Sequence, residues 1–168
     1  MSTEGFSGPS PLVVGVLPGQ HPEVLTTAVD LAEKLALPLL CAYVDEASYL
    51  VEWDPARSAH RLSSYPDADD AEIRAETEDL RSVVAAECEG KDVSWSLRVL
   101  TGDPARALGR FAAESHAYLI IVGTKEHGLV HRISEALNGS VAAWLSRHQE
   151  RPVLVVPPHQ GTHRELPE

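Results

Sequence analysis

Residues 12–17 read Leu-Val-Val-Gly-Val-Leu, apolar at odd and even positions alike. A strand with one wet face alternates in polarity; a strand that does not alternate has to be covered on both sides, as in a parallel sheet layered between helices. The next thirty residues fit that requirement. Pro18-Gly19 turns the chain, and His21-Pro22-Glu23 opens a helix with proline in its first turn. Val24, Leu25, Ala28, Leu31, Ala32 and Leu35 then recur at three and four residues, the spacing of an amphipathic helix. A second apolar run, Leu39 to Val44, ends at Asp45-Glu46. Strand, helix and strand make a crossover unit, which is right-handed.

Residues 47–69 break this rhythm with Pro55, Pro66, serines and acids, and read as a long loop. Tyr49, Leu50, Val51 and Trp53 make its first half too apolar for a plain linker; packing against the domain and contact with a partner are both open to it. A helical pattern resumes from Asp70 to Glu89 through Ile73, Leu80, Val83 and Val84, and Gly90 stops it. Residues 93–100 alternate, as an edge strand does. Gly102-Asp103-Pro104 supplies a turn, a capping oxygen and a first-turn proline for a helix carrying Ala105, Leu108 and Phe111. Leu119 to Val122 is a buried strand that enters a loop at 123–138. Ser140 to His148 is a last helix, and prolines bracket a last strand at Val153 to Val156. Five strands alternating with four helices predict a doubly wound α/β sheet, in one domain over residues 11–158. Residues 1–10 and 159–168 are expected to be disordered tails.

A chain of 168 residues needs only one core. Fourteen Lys and Arg against 25 Asp and Glu give a net charge of −11, which repels a phosphate backbone and argues against nucleic acid as a partner. No stretch approaches the roughly 18 apolar residues of a membrane helix, and residues 1–10 lack the basic start and apolar core of a signal peptide. The expected setting is the cytoplasm, with no membrane partner. Cys41 and Cys88 lack the paired spacing of a zinc or redox motif and read as buried thiols.

The opening Val13-Val14-Gly15-Val16, the turn Gly102-Asp103-Pro104-Ala105, the run Leu119 to Gly123, the pair Gly139-Ser140 opening a helix, and the closing Arg151 to Val156 follow one another in a fixed order. Together they resemble the universal stress protein family. The resemblance spans residues 12–156 and implies a parallel sheet in the order 3-2-1-4-5. That is a flavodoxin-like arrangement, shared with the adenine-nucleotide α-hydrolases, with helices on both faces. It also implies a homodimer through the last strand, Val153, Leu154, Val155 and Val156, with prolines on each side to limit an edge.

Many members of this family bind ATP through spaced glycines followed by a Gly-Ser or Gly-Thr pair. The glycines let backbone N–H groups approach phosphate, and the following helix points its positive end at it. Carried onto this chain, the resemblance assigns a nucleotide site to Gly123, Lys125, Gly128, Gly139, Ser140 and Val141, with Leu17 closing the first strand. The pattern is only partly kept. Glu126 stands where a second glycine belongs, and taking Gly128 instead lengthens the loop by two residues. Leu17 replaces an aspartate and cannot accept a proton from adenine, and Tyr118 replaces another aspartate before the fourth strand. Charge pulls the other way: residues 117–151 carry Lys125, Arg132, Arg147 and Arg151 against Glu126, Glu135 and Glu150, a balance of +1 in a chain whose remainder is −12.

The resemblance supports two readings. One is a regulatory, stress-response module that works by binding an unidentified protein partner or a small ligand, with no turnover; the other is a switch that binds ATP, with Mg, through the glycine loop. Other chemistry has less support. His127, His131 and Glu135 are spaced by four, but Gly128 interrupts the helix that would align them for a metal, and none is expected. Ser140 lacks the Gly-x-Ser-x-Gly elbow of a hydrolase and is explained as a helix cap. Asp45, Glu46 and Asp103 fall near the carboxyl ends of strands, where acids also cap and solubilise. No catalytic residue is assigned.

Overall fold

The structure, a computed structural model, describes residues 8–45, 66–124 and 141–158. Pairing begins with the unalternating run: β1 (Leu12–Gly15) lies between β2 (Leu39–Asp45) and β4 (Leu119–Gly123), parallel to both. β3 (Trp95–Thr101) joins β2, and β5 (Val153–Val156) joins β4, again in parallel. The sheet has five strands in the order β3-β2-β1-β4-β5. α1 (Pro22–Leu35), α2 (Pro66–Cys88), α3 (Pro104–Glu114) and α4 (Val141–His148) alternate with the strands along the chain.

Leu12, Val13 and Val14 of β1 are fully buried, and the two faces of the strand meet different helices. Leu12 and Val14 share a core with Val24, Ala28 and Ala32 of α1 and Leu80, Val84 and Cys88 of α2. Val13 points the other way, into a core with Leu108 and Ala112 of α3 and Leu145 of α4. Alternation along β1 therefore exists in space, between two apolar layers. Gly109 of α3 lets α4 approach: a Cβ there would stand 3.6 Å from Leu145 and 3.7 Å from Trp144.

Local signals set most boundaries. Asp103 caps α3 by accepting the Arg106 N–H at 2.9 Å, ahead of Pro104. Gly102 has φ +98°, the left-handed backbone that its turn requires. α2 differs from expectation: it starts at Pro66, not Asp70, so residues 66–69 belong to the helix instead of the loop. Proline suits a first helical turn. Within α2, Val83 is exposed while Leu80, Val84 and Cys88 face the core, and the Tyr43 hydroxyl donates to Glu76. α2 is tied to α1 through a residue just after it, since Lys91 Nζ lies 2.7 Å from Asp30 Oδ1. That hydrogen bond holds the Asp30 carboxyl below the usual aspartate range.

β1 also ends earlier than its hydrophobicity implies. The strand stops at Gly15, and Leu17 enters a turn in which the Gln20 N–H donates to the Leu17 carbonyl at 3.2 Å. No helix among the described residues is long and apolar enough to cross a membrane.

Candidate functional site

In an open parallel sheet, a ligand crevice forms where neighbouring strands send their crossovers to opposite faces. Here that point lies between the carboxyl ends of β1 and β4, because α1 leaves β1 on one face while α3 leads into β4 on the other. The geometry of the two strand ends is specific. The register of β1 with β4 closes at Val14–Ile121, one residue before Gly15. On its other side β1 continues to bond β2, the Val16 N–H donating to the Ala42 carbonyl at 2.9 Å.

The opening between β1 and β4 is filled by a side chain. Gln20 Nε2 donates to the Gly15 carbonyl at 3.3 Å, and Gln20 Oε1 accepts the Leu17 N–H at 3.4 Å. Both bonds are longer than the usual 2.7–3.2 Å range for N–H···O contacts. Opposite, at the end of β4, a Cβ on Gly123 would stand 2.9 Å from Val24 Cγ2 and 3.4 Å from Gln20 Nε2. Gly123 is thus a close-packing glycine as well as the first glycine of the loop: α1 and the amide lie too near for a side chain. His21 caps α1 beside them, its Nδ1 accepting the Glu23 N–H at 3.4 Å.

The residues that the sequence singles out are scattered around this opening and beyond it. Leu17 is 42% exposed, in the turn that follows β1. Gly123 ends β4, and Val141 opens α4, half-buried against the core shared with α3. Lys125, Glu126, Gly128, Gly139 and Ser140 lie outside the described residues, as do His127, His131, Glu135 and Glu46. Tyr118, just ahead of β4, is exposed. Asp45 is buried at the carboxyl end of β2, and Asp103 is occupied as the cap of α3. Gln20 has no place in the motif, and sequence reasoning passes over it. The available signal was a polar amide just ahead of a helix, at the end of a buried strand.

Cys41 and Cys88 are buried in the core beneath α1 and α2. Burial, with Cys88 nearby, pushes the Cys41 thiol up to about 12, and burial also raises Cys88. Neither is poised as a thiolate nucleophile. An open groove of about 250 Å³ runs between β3 and α3, lined by Val99 to Thr101, Ala107, Arg110, Phe111 and Glu114. It lies on the far edge of the sheet from the β1–β4 opening and is a surface furrow. Among the described residues, no three His, Cys, Asp or Glu side chains cluster as a metal site.

A five-stranded parallel sheet in the order β3-β2-β1-β4-β5, with helices on both faces, defines a flavodoxin-like α/β protein. The universal stress protein family model matches residues 10–157, and the chain belongs to that family. Solved structures with the same fold include a universal stress protein in complex with cAMP, at 22% identity and a TM-score of 0.57, covering 91% of this chain and 100% of that one. A universal stress protein from Archaeoglobus fulgidus in complex with dAMP is 19% identical, with a TM-score of 0.58 and coverage of 88% and 97%. A family protein from Burkholderia pseudomallei is 26% identical, with a TM-score of 0.54 and coverage of 89% and 96%. A comparison with curated proteins gives no match.

Proposed function

We propose that this universal stress protein is a regulatory module that acts by binding, without turnover, and that its ligand is an adenine nucleotide held at the carboxyl ends of β1 and β4. The observation that carries the reading is the end of the β1–β4 ladder at Val14–Ile121, which leaves the Gly15 carbonyl and Leu17 N–H facing a side chain instead of a strand. A backbone acceptor beside a backbone donor is what a nucleobase edge needs, and the place is where such sheets bind ligands. The cAMP and dAMP complexes of similarly folded relatives support the ligand class. The loop of Gly123, Lys125, Gly128, Gly139 and Ser140 would receive the phosphates, with Mg accompanying ATP.

Calorimetric titration with AMP and with Mg-ATP tests this, after extraction of any nucleotide that co-purifies. A micromolar dissociation constant for either is expected, and Gly139→Asp should abolish it by placing a carboxylate at the helix start. Absence of heat and of bound nucleotide would leave a module that binds protein partners.

A homodimer through β5 and a cytoplasmic setting belong to the same reading. β5 is an edge strand whose Leu154 and Val155 are 37% and 41% exposed, an apolar edge that pairing with a second copy would cover. Val155→Lys should convert the dimer to a monomer on sizing chromatography; an intact dimer in that variant would send the contact elsewhere.

A further inference from the structure

We infer that the Gln20 carboxamide is a built-in stand-in for the polar edge of the ligand: it occupies the Gly15 carbonyl and Leu17 N–H, and an adenine edge must displace it to bind. The inference rests on the nucleotide reading of the same site. A carboxamide presents an N–H donor and an oxygen acceptor on neighbouring atoms. Adenine presents the same pair, its amino group beside a ring nitrogen. The Gly15 carbonyl accepts from one and the Leu17 N–H donates to the other, so the two can exchange without leaving a backbone group unpaired.

The lengths of the bonds agree with exchange. Elsewhere in the same protein, a glutamine that serves only to close a turn does so tightly: Gln149 Nε2 donates to the Leu145 carbonyl at 2.9 Å and to the Arg151 carbonyl at 2.6 Å, while its Oε1 accepts the Arg151 N–H at 2.6 Å. Gln20 makes fewer bonds, at 3.3 and 3.4 Å. Its side chain is half-buried beside Gly123, where Val24 of α1 also packs close to the end of β4. A swing of Gln20 towards solvent frees the Gly15 carbonyl and the Leu17 N–H. The side chain therefore lowers apparent affinity by the fraction of time it fills the site, and it sets the selection for a ligand edge with a donor beside an acceptor.

The test compares wild type with Gln20→Ala by calorimetry, using AMP and N6,N6-dimethyl-AMP, whose amino donor is blocked. Gln20→Ala should bind AMP about tenfold more tightly, because the competitor for the backbone pair is gone. Wild type should bind the dimethyl analogue at least about tenfold more weakly than AMP, the cost of a displaced amide with no donor to replace it. Unchanged or weaker AMP binding by Gln20→Ala overturns the inference and leaves the nucleotide site standing. Equal binding of AMP and its dimethyl analogue by wild type does the same, and needs no variant to fold. Absence of binding by every combination overturns the nucleotide reading itself, and this inference with it.

Discussion

The turn from α4 into β5 and the turn from β1 into α1 are both closed by a glutamine amide, at opposite ends of the sheet. At the amino end of β5, Gln149 takes the Leu145 carbonyl, one of the acceptors left over at the end of a helix, and the backbone carbonyl and N–H of Arg151. At the carboxyl end of β1, Gln20 spans two longer bonds, over a point where strand pairing has already stopped. Identical chemistry serves a fixed joint in one place and a replaceable cover in the other. What differs is the surroundings: helix and strand converge on Gln149, whereas β1 and β4 part beneath Gln20.

This contrast predicts a graded series in thermal or denaturant unfolding. Gln149→Ala should cost the most, about 2–3 kcal/mol, since it orphans two carbonyls and an N–H that are partly buried. In a chain of this size that lowers the melting temperature by about 4–12 °C. A loss no greater than that of Gln20→Ala would erase the distinction between the two turns.

Gly123→Ala should come next, at about 1–2 kcal/mol, because the new Cβ meets Val24 at 2.9 Å. Pairing it with Val24→Ala sharpens the reading: the double variant should show a coupling of about 0.5 kcal/mol or more, and strict additivity would mean that the two sites do not press on each other. The smallest effect belongs to Gln20→Ala, with stability changed by about 0.5 kcal/mol or less and AMP affinity by much more. A large loss of stability there would make Gln20 a joint like Gln149.

Much of the fold was legible in the chain itself. The run from Leu12 demanded cover on two sides, and the structure supplies α1 and α2 on one, α3 and α4 on the other. Gly102-Asp103-Pro104 announced α3 through a turn, a cap and a proline, all of which act within a few residues of chain. Pro66 was the exception: read as a loop breaker, it opens a helix instead, since proline carries both meanings until the residues after it are placed. The site was half legible. Gly123 stands out as a glycine at a strand end, yet its cause in the structure includes the close approach of Val24, a residue on another element.

The amino-acid sequence by itself determined the element types, the two-sided burial of β1, the family, and the acidic surface, because these depend on periodicity, on capping within a turn, and on composition. Only the tertiary structure decided that Leu17 faces solvent, that β1 parts from β4 after Val14, and that Gln20 fills the gap. Those facts depend on where two strands distant in sequence diverge in space. A hydrophobic residue at a strand end and an amide in a turn look the same in either outcome, until packing sets which of them covers the opening.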